Sequence, residues 1–369
     1  MEALPPQNNG KKNRASLEKL PFSAYFWAPS TDLLPIHAII LTLSFGIILV
    51  GSELFTNGVE WAGERLSIAE AAVGSLLAAV GTALPETFIP AVALLSGSSG
   101  HHAVGVGAII GAPLMLSTVA LFVMGVGAIV YRRRRARIAL QVSRKDARRD
   151  LTCFFFIFVV FAGCGLLHLS SPVRHVLVVV ALLAYAGYTI MMLRLSRAPG
   201  AEMDHRLYLE TLFRGKSKRP PAWTIGAQVT AGVLAILIGA KAFVDQIVLF
   251  STHAGVNPGV LSLVLSPLAT ELPEKYNSVV WIRQSKDHLA LANITGAMVF
   301  QSCIPVALGL AFSPWVLSAP EILASVIALA SAVILFINVR DSELGTPTLM
   351  IGGIAYAIFL GGLVYLGTI

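Results

Sequence analysis

Apolar residues run through this chain in long blocks divided by short polar loops, not in the alternating strides of a soluble helix or strand. Ten blocks lie near 34–58, 71–96, 103–130, 152–168, 173–193, 224–252, 259–282, 289–312, 321–339 and 347–367. Each is about the length a helix needs to cross ~30 Å of hydrocarbon. Pro85 and Pro273 interrupt the second and the seventh. The pattern predicts an all-α membrane protein with ten transmembrane helices.

Composition supports that class. Hydrophobic residues make up 56% of the 369 and charged residues 13%, against roughly 25% charged in a soluble domain. The mean hydropathy is +0.75. A net charge of +7 would suggest nucleic acid in a soluble protein, but here most Lys and Arg fall between the apolar blocks. Membrane topology accounts for them, and no nucleic-acid partner is expected. Alternating loops place Arg65, nine basic residues from Arg132 to Arg149, seven from Arg194 to Arg219, Arg283, Lys286 and Arg340 on one side. The other side receives Lys11, Lys12, Arg14, Lys19 and Arg174. Basic loops stay cytoplasmic, so both termini are expected outside. Residues 1–32 are polar, lack the apolar segment of a cleavable signal and read as a disordered tail. Cys153, Cys164 and Cys303 sit singly in apolar stretches, as packing residues do.

Self-similarity gives the chemical centre. Residues 51–127 and 239–311 align, with Thr-x-Leu-Pro-Glu recurring as Thr82 to Glu86 and as Thr270 to Glu274. Gly111 and Gly296 match in the span that follows. Five spans separate the copies, so they face opposite sides of the membrane: two inverted five-helix repeats, 33–193 and 223–369, joined by a cytoplasmic linker, 194–222. Inverted repeats build a substrate site near the midplane from discontinuous helices. Pro85 and Pro273 supply the discontinuity by freeing backbone carbonyls. A charge at the bilayer centre costs roughly 2.5–3.5 kcal/mol even on the mild insertion scale, so Glu86 and Glu274 need a partner. A hard cation taking oxygen ligands, Ca²⁺ or Na⁺, fits that need; a protonated or Lys-paired glutamate pair that joins the two halves is the plainer alternative.

The GTALPE and ATELPE motifs, each followed by a glycine-bearing span, resemble the sodium/calcium exchanger family within the cation/Ca²⁺ antiporter superfamily. The resemblance implies a divergent prokaryotic-type antiporter in the plasma (inner) membrane, moving Ca²⁺ in exchange for Na⁺ or H⁺ without a cofactor. It implies that Glu86 and Glu274 bind the ion, with Thr82, Thr270 and the carbonyls of Ala79 and Pro267 completing the sites. The family's serines after the motif threonine are Ala83 and Glu271 here, and those after the third-span glycine are Ala112 and Ala297. Its later Asn or Asp is Leu116 in one copy and Gln301 in the other. These departures deplete the flanking sodium sites and leave the central divalent site its two glutamates. Three roles are open to Glu271: a third ion carboxylate, a proton carrier, or a partner for Lys275. Carboxylates crowded in low dielectric let protons compete with a metal ion, which brings in proton coupling and a monovalent cation/H⁺ antiporter as rival readings. A non-transporting ion sensor is a third.

Glu53, Asn57 and Glu60 form a helical polar stripe in the first span, with Lys241 and Asp245 as sixth-span counterparts. They are expected to line an ion path or to latch two gating helices; an intramembrane ion pair is the plainer alternative. His101, His102, His168 and His175 read as solvated residues on the outer side. The Arg132–Arg149 segment suits anionic lipid as well as topology. No hydrolase constellation, phosphorylation motif or nucleotide loop is present, so an enzyme is not expected. Membrane lipids and small cations are the expected partners, with no obligate protein partner evident.

Overall fold

In lipid the backbone has no hydrogen-bond partner but itself, so long apolar runs fold as helix. A computed structural model describes residues 34–65, 84–195, 207–212, 220–339 and 342–368. Its helices are α1 (Leu34–Arg65), α2 (Leu84–Leu95), α3 (Ser99–Val130), α4 (Arg144–Cys164), α5 (Ser171–Leu195) and α6 (Ala222–Ala254). There follow α7 (Pro258–Thr270), α8 (Leu272–Arg283), α9 (Asp287–Phe312), α10 (Ala319–Asn338) and α11 (Thr346–Tyr365).

Seven of these described helices are long and apolar enough to cross a bilayer: α1, α3, α5, α6, α9, α10 and α11. The differences from ten have local causes. The first two turns of α4 carry Arg144, Lys145, Asp146, Arg148, Arg149 and Asp150, and the description of α2 begins only at Leu84. The span expected at 259–282 is split into α7 and α8 at Glu271. A two-residue ribbon, β1 (Leu140–Gln141) with β2 (Glu343–Leu344), adds an antiparallel pair that hydropathy does not signal.

Helix starts follow local chemistry. Asn257 accepts from Gly259 N at 2.8 Å before Pro258 opens α7, and Ser318 and Glu321 form a capping box on α10. In α3, Pro113 precedes a π-helical turn at Leu116–Ala120, where Thr118 bonds back to Leu114 O.

Packing among membrane helices rests on close approach rather than on the hydrophobic effect, and small residues permit it. The helices α1 and α6 cross antiparallel along such a seam. A Cβ on Gly51 would lie 2.9 Å from Ala235 Cβ, and one on Gly239 would lie 2.8 Å from Ile48 Cγ1. At the far end His37 meets Gln246 at 2.7 Å. One buried cluster joins this pair to the rest through Ile48, Ile89, Val104, Phe243, Ile247 and Ala269. A larger one holds α3, α4, α9, α10 and α11 around Phe154, Phe158, Met298 and Trp315.

The loops sort into two sets. Asp287, at the start of α9, accepts from Arg135 at 2.5 Å, from Arg137 at 3.1 Å and from Gln141 N at 3.0 Å. With the β1–β2 pairing, this gathers the α3–α4, α8–α9 and α10–α11 connections together. Leu317 N bonds Gly165 O at 2.9 Å and Arg174 reaches Ser313 O, which gathers the α4–α5 and α9–α10 connections.

Candidate ion-binding site

The site is built around the α7–α8 break. Pro267 and Pro273 cannot donate backbone hydrogen bonds, so the carbonyls of Leu263 and Ala269 lose their helical partners. Glu271 sits at the break with φ −92° and ψ 14°, its N–H still bonded to Pro267 O at 3.1 Å. The first residue pair of α8 contains Pro273, where a missing N–H is tolerated, and Glu274 follows in the first turn. That turn favours a carboxylate, because the helix dipole is positive there. Glu86 stands likewise in the first described turn of α2, and Pro90 has no N–H to offer its carbonyl.

These groups are buried together. Glu86 is 5% exposed, Glu271 0%, Glu274 4% and Lys275 8%. Glu86 lies within electrostatic range of Glu274, Glu271 and Lys275, so carboxylates from both sequence copies share one interior cluster. Neither carboxylate oxygen of Glu86 has a hydrogen-bond partner among the described residues. The same holds for Glu271, whose Oε2 is 3.6 Å from Lys275 Nζ. Lys275 Nζ also donates to Pro267 O at 3.4 Å. Glu271 has Lys275 as its ion-pair partner, whereas burying the Glu86 carboxylate oxygens without one is costly, and a cation in reach of them removes the cost. Thr270, buried at the end of α7, donates to Ser266 O at 3.2 Å, leaving its oxygen lone pairs for acceptance. Gln301 from α9 is buried within reach of Glu271. Among the described residues no three His, Cys, Asp or Glu side chains converge at metal-binding distance.

The structure therefore brings together Glu86, Glu271, Glu274, Thr270, Pro267 and Gln301, six of the residues expected from sequence. Thr82 and Ala79 lie outside the described residues. The stripe behaves differently. Asn57 is buried and accepts from Gln228 at 2.8 Å and from Tyr208 N at 3.1 Å, and Tyr208 stands near Glu53 and Glu60. Lys241 and Asp245 pair with each other at 3.1 Å at an exposed position. Glu53 does not face Lys241, nor Asn57 Asp245, because α1 and α6 run antiparallel and hold equivalent residues apart along their seam. His101 is not simply solvated: its Nε2 meets Asp245 Oδ1 at 3.1 Å, tying the start of α3 to α6.

Three buried acids among the described residues were not singled out from sequence: Asp287, Asp150 and Glu321, the last the capping-box residue of α10. Asp150 of α4 is 1% exposed and accepts from Thr295 of α9 at 2.9 Å and Tyr188 of α5 at 3.1 Å. Thr295 adjoins Gly296, so this network fixes the helix that carries Gln301. Asn293 of the same helix donates to Glu274 O at 3.3 Å.

Known proteins resemble the chain in sequence and in fold. It is 22% identical over 286 residues to a protein named as an antiporter, CaxA of Alkalimonas amylolytica, covering 77% of this chain and 83% of that one. A membrane protein of Methanocaldococcus jannaschii is 22% identical over 303 residues, covering 81% and 89%. The crystal structure of an H⁺/Ca²⁺ exchanger, CAX, superposes with a TM-score of 0.67 at 17% identity over 89% of this chain and 82% of that one. The sodium-calcium exchanger NCX_Mj superposes with a TM-score of 0.55 at 19% identity over 89% and 98%. At such identities the structural likeness speaks for the fold alone. The sequence profile described as sodium/calcium exchanger protein matches residues 36–194 and 225–367, and the chain belongs to that family of antiporters.

Proposed function

We propose that this antiporter moves Ca²⁺ across the membrane in exchange for Na⁺ or H⁺, at a midplane site where Glu86 and Glu274 hold the ion in turn with its counter-ion. One observation carries the reading: two Pro-Glu carboxylates far apart in sequence, each from one repeat copy, are buried in one electrostatic cluster. Thr270, Pro267 O and Gln301 add oxygens from one half. Thr82 and Ala79 are the proposed counterparts in the other.

The architecture proposed with it is ten spans in two inverted repeats, with both termini outside and the protein in a prokaryotic plasma membrane. The antiparallel crossing of α1 and α6, which open the two copies, supports inversion. The two sets of loops support alternate crossings, since connections that an alternating count puts on one side touch one another. Alternating access then takes the form of the α1–α6 pair moving against the cluster-bearing helices across the smaller buried core. Names borne by relatives agree with the ion assignment: one solved structure is an H⁺/Ca²⁺ exchanger and another a sodium-calcium exchanger.

Ca²⁺ uptake into proteoliposomes under an imposed Na⁺ gradient, and separately under a pH gradient, tests the proposal. Uptake under one of them is expected. No Ca²⁺ uptake under either, with Na⁺-stimulated proton flux instead, would establish the second reading, a monovalent cation/H⁺ antiporter. That reading is favoured by the apolar side chains at Ala112, Leu116 and Ala297, where further oxygens are expected.

A further inference from the structure

Lys275 is a charge that an ion site for cations does not ask for. It is buried at 8% exposure, one residue from Glu274, and its stem is held on the first turn of α8. Its ammonium lies 3.6 Å from the Glu271 carboxylate and 3.4 Å from the Pro267 carbonyl. A carboxylate and a backbone carbonyl oxygen are the kind of donors a hard cation takes. The Glu271–Lys275 spacing of four residues keeps the pair on one helical face across the break.

We infer that Lys275 is a resident cation: its ammonium fills a monovalent subsite formed by Glu271 and Pro267 O, and so excludes Na⁺ from it. Charge balance follows from the same four groups. Counted in the ionised form a bound cation requires, Glu86, Glu271 and Glu274 against Lys275 leave two net negative charges, which one divalent cation neutralises. Removing the ammonium leaves three, and opens room for one divalent and one monovalent cation together. The inference rests on the reading of Glu86 and Glu274 as the ion site and concerns the specificity of that site.

The test is ion-dependent thermal stabilisation of the purified full chain in detergent, with NaCl titrated against choline chloride and CaCl₂ titrated separately. Wild type is expected to respond to Ca²⁺. With CaCl₂ saturating, so that Na⁺ competing as counter-ion at Glu86 and Glu274 is displaced, wild type is expected to show no further response to Na⁺. K275M is expected to gain a saturable Na⁺ response. The double variant E271Q/K275M restores two net negative charges and is expected to lose that response again. E271Q alone leaves one net negative charge, and its half-stabilising Ca²⁺ concentration is expected to rise at least tenfold and to recover in the double variant. A wild type stabilised by Na⁺ as strongly as K275M overturns the inference. So does a K275M that folds and ignores Na⁺. If K275M does not fold, E271Q decides: equal Ca²⁺ responses in E271Q and the double variant overturn it. These are binding readouts, so absence of Ca²⁺ transport in liposomes with the Na⁺ pattern intact would refute exchange and leave the resident cation standing.

Discussion

Gly111 and Gly296 are equivalent in the repeat, yet the structure gives them different neighbours. A Cβ on Gly111 would fall inside contact distance of the Leu263 carbonyl oxygen and 2.8 Å from Pro267 Cγ. Carbon atoms at rest stand ≈ 3.5–4.0 Å apart, so α3 and α7 would have to part by about 1 Å. The obstacles are a backbone carbonyl and a proline ring, and neither can rotate away. Overpacking of this kind costs typically 1–3 kcal/mol. The helix displaced is the one that ends at Thr270 and Glu271 and bears the Pro267 carbonyl. The substitution Gly111→Ala should therefore lower stability by about 1–3 kcal/mol. It should also raise the half-saturating Ca²⁺ concentration about tenfold, equivalent to ~1.4 kcal/mol. Among the described residues a Cβ on Gly296 meets only Tyr188 Oη, at 3.8 Å, an ordinary contact, so Gly296→Ala should leave both quantities near wild type. Equilibrium unfolding in mixed micelles with rising SDS, paired with Ca²⁺ uptake into liposomes, reads both. A Gly111→Ala variant as stable as wild type would refute the packing argument. Equal losses at Gly111 and Gly296 would refute it too.

Asp287→Ala leaves Arg135 buried with, among the described residues, the carbonyls of Arg137, Ile138 and Ala139 as its partners, and should cost about 3–5 kcal/mol in the same unfolding titration. A loss under about 1 kcal/mol would mean the pair is solvated. Tyr188→Phe removes one donor from the buried Asp150 carboxylate and should cost about 1.5–3 kcal/mol, with Ca²⁺ uptake impaired through the displaced α9. An unchanged midpoint and unchanged uptake would remove that network from the account.

Legibility in the sequence followed the range of the interaction. The Pro273 break, the repeated motif and the two carboxylates are written in contiguous residues, and the α7–α8 break stands where Pro273 requires it; the break expected at Pro85 borders residues outside those described. The link between Glu271 and Lys275 was readable as one of three options because the partners are four residues apart. Asp150 and Asp287 were not readable: their partners Thr295 and Arg135 lie 145 and 152 residues away, and each acid sits in a charged stretch that looks solvated. The stripe of Glu53 and Asn57 was legible as a stripe. Its pairing was not, because alignment equates residues that an antiparallel crossing holds apart. The contact between His101 and Asp245 was hidden for the same reason of distance.

Exchange by the proposed route requires Glu86 and Glu274 to act as one site. Ca²⁺ uptake into proteoliposomes by wild type, Glu86→Gln and Glu274→Gln, each under Na⁺ and pH gradients, tests that most directly. Each single variant should fold, keep its unfolding midpoint near wild type and lose uptake under whichever gradient drives the native chain. Uptake retained by either folded variant would contradict the shared site.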